Sequence, residues 1–323
     1  MIRCVLAATA ASAMLLAASD VHANCKPLEQ LVSIDLVVGP RILVPVTLNQ
    51  HHGAMFLNTG AGFSYLYRST AQALELPQSD IPSGVAVFVA KEKVTKLVSI
   101  EGYEIGTLSY QTRKMIVSPR EDQPVQTLLG PLFGVMGMDV FAAADFELDL
   151  AHSRLALYSQ NHCPGKIAPW AANYHTVPLY KGPIGNFFFP MELDGQAVEA
   201  TLVTGISVTH LDTGVTKSVY GFDEHSAGVE TSVDADGRTQ SYFRAMKLTA
   251  AGLRADDLRV QLEAVSIPEC PVEGKWHRRS RAAGLGCNGL FPLTLGRDVL
   301  ARLHLYFATQ EHILYFTQND PAP

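Results

Sequence analysis

Apolar and polar residues alternate along this chain in short runs that end in turn residues. "VPVTL" from Val44 and "GAMFL" from Gly53 read as two strands joined through the polar stretch Asn49-Gln50-His51-His52-Gly53. A sharp Asn58-Thr59-Gly60 turn follows. The same order returns later as "FPMEL" from Phe189, the connection Asp194-Gly195-Gln196, the run "AVEATL", then Val203-Thr204-Gly205. At one offset of 145 residues, with no gap, Pro45 meets Pro190, Leu48 meets Leu193 and Leu57 meets Leu202. Thr59-Gly60 meets Thr204-Gly205, and Leu66 meets Leu211.

A second pair of segments closes each half. "GVMGMDVF" from Gly134 and "LTLGRDVL" from Leu293 align at an offset of 159, which also brings Leu155 onto Leu314. Gly137 meets Gly296, Asp139 meets Asp298, and Val140 meets Val299. The second half is therefore longer by 14 residues, and the excess is placed around Cys270 to Cys287. Between opening and closing segments, each half carries further strand-like material, such as "KLVSIEGYEIGTLSYQTRKMIV". Helical pattern is confined to short pieces such as "STAQALEL" and "DVFAAADF". The pattern predicts a mostly-β chain of two related lobes. The Pro- and Gly-rich stretch "SQNHCPGKIAPWAANYHTVPLYKGPIG" reads as the connection. The expected limits are a first lobe over 24–163, a linker over 164–185 and a second lobe over 186–323.

Composition narrows the setting. A chain of 323 residues with 47% hydrophobic content has length for two domains and apolar surface for a sizeable core. The net charge of −6 argues against a nucleic-acid partner. No phosphate-binding or dinucleotide fingerprint is visible, and no cofactor is expected. Arg3, the small-residue apolar stretch "VLAATAASAMLLAAS" and the "VHA" that follows predict a signal peptide over 1–23, cleaved after Ala23. No later run is long enough to span a bilayer. The expectation is a periplasmic or secreted monomer.

Export changes the reading of the cysteines. Cys4 leaves with the signal, and Cys25, Cys163, Cys270 and Cys287 remain. An even count in an oxidising compartment predicts two disulfides. Three pairings are open, of which Cys25–Cys163 with Cys270–Cys287 is favoured. A zinc site is the alternative, but the chain has neither C-x-x-C nor H-x-x-x-H.

Taken together, the apolar strand into Asn58-Thr59-Gly60-Ala61, its repeat into Val203-Thr204-Gly205-Ile206, and the closers Val135-Met136-Gly137 and Thr294-Leu295-Gly296 resemble the retropepsin-like aspartic peptidases. The resemblance is to the bacterial form with both lobes on one chain, and it spans roughly residues 35 to 317. It implies two retropepsin- or pepsin-like β-barrel lobes related by a pseudo-twofold axis. In that family each lobe gives an Asp-Thr-Gly turn to the floor of a central cleft, and the two carboxylates share one proton. Here the positions of the two acids are held by Asn58 and Val203. The resemblance implies a cleft floor of Thr59, Gly60, Ala61, Thr204, Gly205 and Ile206. The threonines would join the two turns by hydrogen bonds to the opposite lobe, and the glycines would allow the turn. Neither Asn58 nor Val203 exchanges a proton near neutral pH.

Other residues have plainer expected roles. Asp212-Thr213-Gly214 reproduces the family tripeptide but lies nine residues after Val203, so a helix N-cap or turn is expected. Asp139 and Asp298 precede short helical pieces and are expected to cap them. His51 and His52 are expected as exposed turn residues. The stretch from Lys275 to Arg281, with His277, Arg278, Arg279 and Trp276 inside it, is expected as a solvated loop; contact with an anionic ligand is the sharper reading. Three functions follow: a catalytically inactive binding protein holding a peptide or protein ligand, an active aspartic endopeptidase using Asp212 or a flap residue as its acid, or a structural exported protein with a vestigial cleft.

Overall fold

The computed structural model describes residues 25–319, apart from 85–86, 90–91, 168–169, 183–184, 235–236, 251–252 and 264–292. Two matching sets of nine strands make the frame. The first set is β1 (Gln30–Asp35), β2 (Ile42–Leu48), β3 (His51–Leu57), β4 (Tyr65–Leu66), β5 (Lys96–Ile105), β6 (Leu108–Val117), β7 (Gly130–Met136), β8 (Asp145–Asp149) and β9 (Arg154–Tyr158). The second is β10 (His175–Pro178), β11 (Phe187–Leu193), β12 (Gln196–Leu202), β13 (His210–Asp212), β14 (Thr239–Ala250), β15 (Leu253–Glu263), β16 (Leu293–Leu295), β17 (Leu303–Ala308) and β18 (Ile313–Gln318). Each strand of the first set recurs nine places later.

Each lobe closes into a six-stranded barrel. In the first the ring runs β2, β3, β7, β4, β6, β5 and back to β2. In the second it runs β11, β12, β16, β13, β15, β14 and back to β11. Closure gives every strand of each ring a partner on both sides. The alternation read from the sequence becomes the inward face: Ile42, Val44, Val46 and Leu48 of β2 are buried, as are Phe187, Phe189, Met191 and Leu193 of β11.

The opening hairpins turn on two residues rather than the longer stretches expected. Asn49 and Gln50 have φ of 47° and 69°, and Asp194 and Gly195 have 50° and 79°. Two consecutive left-handed residues match the twist of the flanking strands. His51, His52 and Gly53 therefore belong to β3, and Gln196 belongs to β12. Both histidines remain exposed, as expected.

A third sheet joins the lobes, in the order β1-β9-β8-β17-β18-β10. Its middle pair, β8 from the first half and β17 from the second, is antiparallel with Phe146 opposite Phe307 and Asp149 opposite His304. The Phe146 and Phe307 rings stack at 4.1 Å. The connecting segment is thus not a bare linker, because β10 within it forms one edge of this sheet. Leu28, Ile167 and Trp170 pack on a small cluster of Ala156, Tyr158, Tyr306 and Ala308 on the same sheet. No helix among the described residues is long and apolar enough to cross a membrane.

The expected Cys25–Cys163 disulfide is present, with the Cα atoms 4.7 Å apart. It anchors the start of the described chain to the segment that covers the shared sheet, and the Cys163 N–H donates to the Lys26 carbonyl alongside. The expected signal peptide, the Cys270–Cys287 pair and the Lys275–Arg281 stretch lie outside the described residues. Closing a loop across a separation of 138 residues contributes up to about 5 kcal/mol in the chain-entropy picture. A Cys25→Ser/Cys163→Ser variant is expected to lose a measurable part of that in urea unfolding under non-reducing conditions; an unchanged midpoint would contradict a structural role for the bond.

Candidate functional site

Both tripeptide turns follow the end of a hairpin and meet on the pseudo-twofold axis. Their local hydrogen bonds repeat one for one. The Asn58 N–H donates to the Met136 carbonyl at 3.0 Å, and the Val203 N–H to the Leu295 carbonyl at 2.9 Å. The Ala61 N–H reaches back to the Asn58 carbonyl, and the Ile206 N–H to the Val203 carbonyl. The chain then passes close to the closing segment of its own lobe: the Met138 N–H donates to the Ala61 carbonyl, and the Arg297 N–H to the Ile206 carbonyl.

The closing glycines are there for space. A Cβ on Gly137 would lie 2.6 Å from the Phe63 carbonyl carbon, and one on Gly296 would lie 2.6 Å from that of Val208. Contrary to expectation, Gly137 and Gly296, not the aspartates after them, hold the N-cap positions, although Asp298 Oδ1 accepts from the Val299 N–H in the first turn at 3.0 Å. Instead Asp139 Oδ1 accepts from the Ser64 N–H at 2.7 Å and from the Ser64 hydroxyl at 2.6 Å. Asp298 accepts from the Thr209 N–H and hydroxyl in the same way, at 3.0 and 2.8 Å. The two hydroxyls in turn accept from the N–H groups of Gly137 and Gly296. Each aspartate is a latch holding the turn to the closing strand. In the first lobe Arg113 also pairs with Asp139 at 2.7 Å.

Between the lobes the threonines bond crosswise. The Thr59 hydroxyl donates to the Leu202 carbonyl at 2.6 Å and accepts from the Thr204 N–H at 3.1 Å. The Thr204 hydroxyl donates to the Leu57 carbonyl at 2.7 Å and accepts from the Thr59 N–H at 3.1 Å. Both threonines are buried.

The symmetry breaks at one pair of positions. Asn58 Oδ1 accepts from the Gly60 N–H at 3.0 Å. That bond fixes the amide orientation and leaves its NH2 as the group still able to donate. A Cβ on Gly205 would lie 2.6 Å from Asn58 Oδ1, and one on Gly60 would lie 2.9 Å from Val203 Cγ1. Each side chain therefore lies over the glycine of the opposite turn, and Asn58 and Val203 share the centre of the molecule. Both are partly exposed, as are Gly60, Ala61, Gly205 and Ile206.

Asp212, of the literal Asp-Thr-Gly, is elsewhere in its lobe. Its carboxylate accepts from the Val215 N–H at 3.1 Å and caps the helix Thr213–Val215, as expected. Its counterpart in the first lobe is Tyr67, which occupies the N-cap position of the helix Arg68–Ala73. Just after the first turn, Tyr65 packs edge-on against Tyr67. Burial pushes the Tyr65 hydroxyl up to about 12, with Tyr67 adding to it against Arg120 and Arg41, so it exchanges no proton near neutrality. The counterpart of Tyr65 is His210, paired with Glu263 at 2.5 Å. The sequence reading missed this pair and the Ser64/Thr209 latches; the repeat of hydroxyl and aspartate at both offsets was the signal for the latches. Among the described residues no cluster of His, Cys, Asp and Glu has the arrangement of a metal site.

The family signature described as aspartyl protease matches residues 44–140, which contain the first turn and its closing segment. A crystal structure of an aspartic proteinase from Irpex lacteus superposes with a TM-score of 0.50 at 10% identity, covering 90% of this chain and 97% of that one. Conglutin gamma, a basic 7S globulin from lupine seeds, superposes with a TM-score of 0.48 at 9% identity, over 91% and 95% of the two chains. No curated protein matches the sequence. The resemblance to aspartic peptidases read from the tripeptides thus stands, and the fold is that of the two-lobed aspartic proteinases.

Thr204→Val keeps the shape but leaves the buried Leu57 carbonyl and Thr59 N–H without partners, at about 1–3 kcal/mol each. The expected loss in chemical denaturation is about 2–5 kcal/mol, with a similar loss for Thr59→Val. Thr204→Ser, which keeps the hydroxyl, is expected to lose less than half as much. Equal losses for Val and Ser would show that packing, not hydrogen bonding, holds the turns.

Proposed function

We propose that this chain is an exported, catalytically inactive relative of the aspartic peptidases whose inter-lobe cleft binds a peptide or protein segment without cutting it. The limits are a signal peptide over 1–23, lobes over 24–163 and 186–323, and a connection over 164–185. Asn58 and Val203 stand at the two acid positions. The single observation that carries the reading is the contrast at the axis: the crosswise threonine lattice is complete, while the side chains beside it are an amide tied to Gly60 and an isopropyl group.

The chemistry follows from that contrast. Water attack on an amide needs a base to take the water proton and an acid to polarise the carbonyl. General acid–base help is worth about 10²–10⁴-fold, and neither Asn58 nor Val203 supplies it. What remains is recognition. The Asn58 NH2 offers a hydrogen bond to a carbonyl oxygen of an extended ligand, and the Val203 methyls offer an apolar wall beside it. An uncharged donor carries no titration of its own, so ligand binding at this point does not require an acidic medium.

Purified mature chain is expected to bind members of a peptide library while cleaving none across acid and neutral pH. Asn58→Asp alone is expected to leave it inactive, because position 203 still lacks an acid. Asn58→Asp with Val203→Asp restores two facing carboxylates and is the variant in which cleavage can return. Robust wild-type cleavage that is lost in Asp212→Asn but kept in Asn58→Ala would overturn the reading in favour of an endopeptidase with a different acid.

A further inference from the structure

The shared sheet has an interior that its joining role does not require. Along β8, Asp145, Glu147 and Asp149 alternate with Phe146 and Leu148, and all three acids are buried, at 0%, 2% and 3% exposure. Burying three carboxylates on one strand face is costly unless each is paired. Each is paired, and in every case a histidine takes part.

His162, from the segment that covers the sheet, places Nε2 2.9 Å from Asp145 Oδ2 while its Nδ1 faces the Cys163 carbonyl at 3.0 Å. A carbonyl only accepts, so Nδ1 carries a proton and Nε2 shares one with the carboxylate. Asp145 Oδ1 accepts from the Thr309 N–H and hydroxyl of the second half, and Glu311 lies 4.0 Å from His162. His304, from β17, bridges two acids of β8: Nε2 faces Glu147 Oε1 at 2.8 Å, and Nδ1 faces Asp149 Oδ2 at 3.1 Å. Trp170 stacks flat on its ring at 4.2 Å. Glu147 also accepts from the Tyr158 hydroxyl at 2.5 Å and has Arg154 at 3.9 Å. Asp149 is met by His152 Nδ1 at 2.6 Å and Asn319 Nδ2 at 3.3 Å. Tyr306, with its hydroxyl buried, Tyr315, which donates to Glu311, and Tyr174, which packs on Trp170 and Tyr315, are further ionisable groups on this face.

A histidine between two carboxylates fills both hydrogen bonds only while both of its nitrogens carry protons. We propose that this row is a proton-dependent clasp: His304 and His162, in their protonated forms, fasten the second half and the covering segment to the acids of β8, and the junction between the lobes loosens as the medium turns alkaline.

The titration directions agree with the geometry. Burial disfavours charge on His162, but the Asp145 carboxylate and the Cys163 carbonyl outweigh it and its pKa is raised. A raised histidine contributes stability that is full below the unfolded value of about 6.5 and is lost as pH climbs through the folded value. Burial pushes Glu147 up, but hydrogen bonds from His304 and Tyr158 outweigh it and its pKa is lowered. Its contribution is present above the ordinary carboxylate range and is lost as pH falls through the folded value. The clasp therefore holds across a window bounded by acid on one side and by histidine deprotonation on the other.

The test is thermal unfolding of the full chain from about pH 6 to pH 8.5. Wild type is expected to lose about 3 °C or more in Tm across that range. A His162→Asn/His304→Gln variant is expected to melt lower at pH 6 and to show less than half of the wild-type slope. A flat wild-type profile, or a variant that keeps the full slope, overturns the proposal. If the variant does not fold, the imidazole ¹⁵N shifts of wild type decide. The His162 ring, identified by sequential assignment through Cys163, must change charge state within the range in which Tm falls, and a His162 that does not change there overturns the proposal.

Discussion

Four hydrogen bonds at the centre of the molecule set the position of everything around them. Two backbone carbonyls, of Leu57 and Leu202, and two N–H groups, of Thr59 and Thr204, are left at the ends of hairpins whose ladders have stopped. Each finds its partner in a threonine hydroxyl. For every one of these bonds the partner belongs to the other lobe. A single lobe would leave these groups to water, and docking without the threonine hydroxyls would bury them unsatisfied, at about 1–3 kcal/mol apiece, so the hydroxyls and the docking of the lobes depend on each other. The rest of the site follows from the same constraint. Gly60 and Gly205 lack side chains because the opposite turn occupies that space, and Gly137 and Gly296 lack them because the chain after each turn runs directly against the closing segment.

The lattice uses position 59 and its repeat, not position 58. This is why the scaffold tolerates what stands at the acid positions. Val203 donates and accepts nothing through its side chain, yet its backbone N–H makes the same bond to a closing strand as that of Asn58. Two carboxylates at this distance would raise the energy of the folded state by mutual repulsion unless they shared a proton. An amide beside an isopropyl group carries no such strain. Chemistry and architecture at this axis are thus held by neighbouring but separate residues, and one can change while the other persists.

Much of this was legible in the sequence, for a physical reason. A two-lobed repeat writes each constraint twice, so Thr59-Gly60 and Thr204-Gly205 in register carried more than either tripeptide alone. Cys25–Cys163 was readable because a chain with few cysteines leaves few pairings. What escaped was long-range polar geometry. Asp139 and Asp298 looked like helix caps, the role that local sequence favours, but their carboxylates are claimed by Ser64 and Thr209 from 75 and 89 residues away. The strand β10 was hidden in a Pro-rich connection, because its pairing with β18 lies far along the chain. The pattern "DVFAAADF" places Asp145 and Phe146 in a helical piece, but the helix ends at Phe141 and both residues open β8, whose acidic face becomes an interior under the covering segment.

The lobes are therefore joined in two chemically different ways. At the axis the bonds run between neutral hydroxyls, carbonyls and amides, and no change of pH alters their number. Across β8 and β17 the contacts run between carboxylates and imidazoles, whose hydrogen-bonding capacity depends on their protons. The two joints lie on different layers, one in the paired turns and one in the six-stranded sheet. Protons act on the sheet and leave the four crosswise threonine bonds unchanged, so a change in medium can alter how firmly the lobes are braced without breaking the bonds that join the two turns. A neutral axis and a charged brace let the crosswise bonds between the turns stay constant while the stiffness of the frame around them responds to the surroundings.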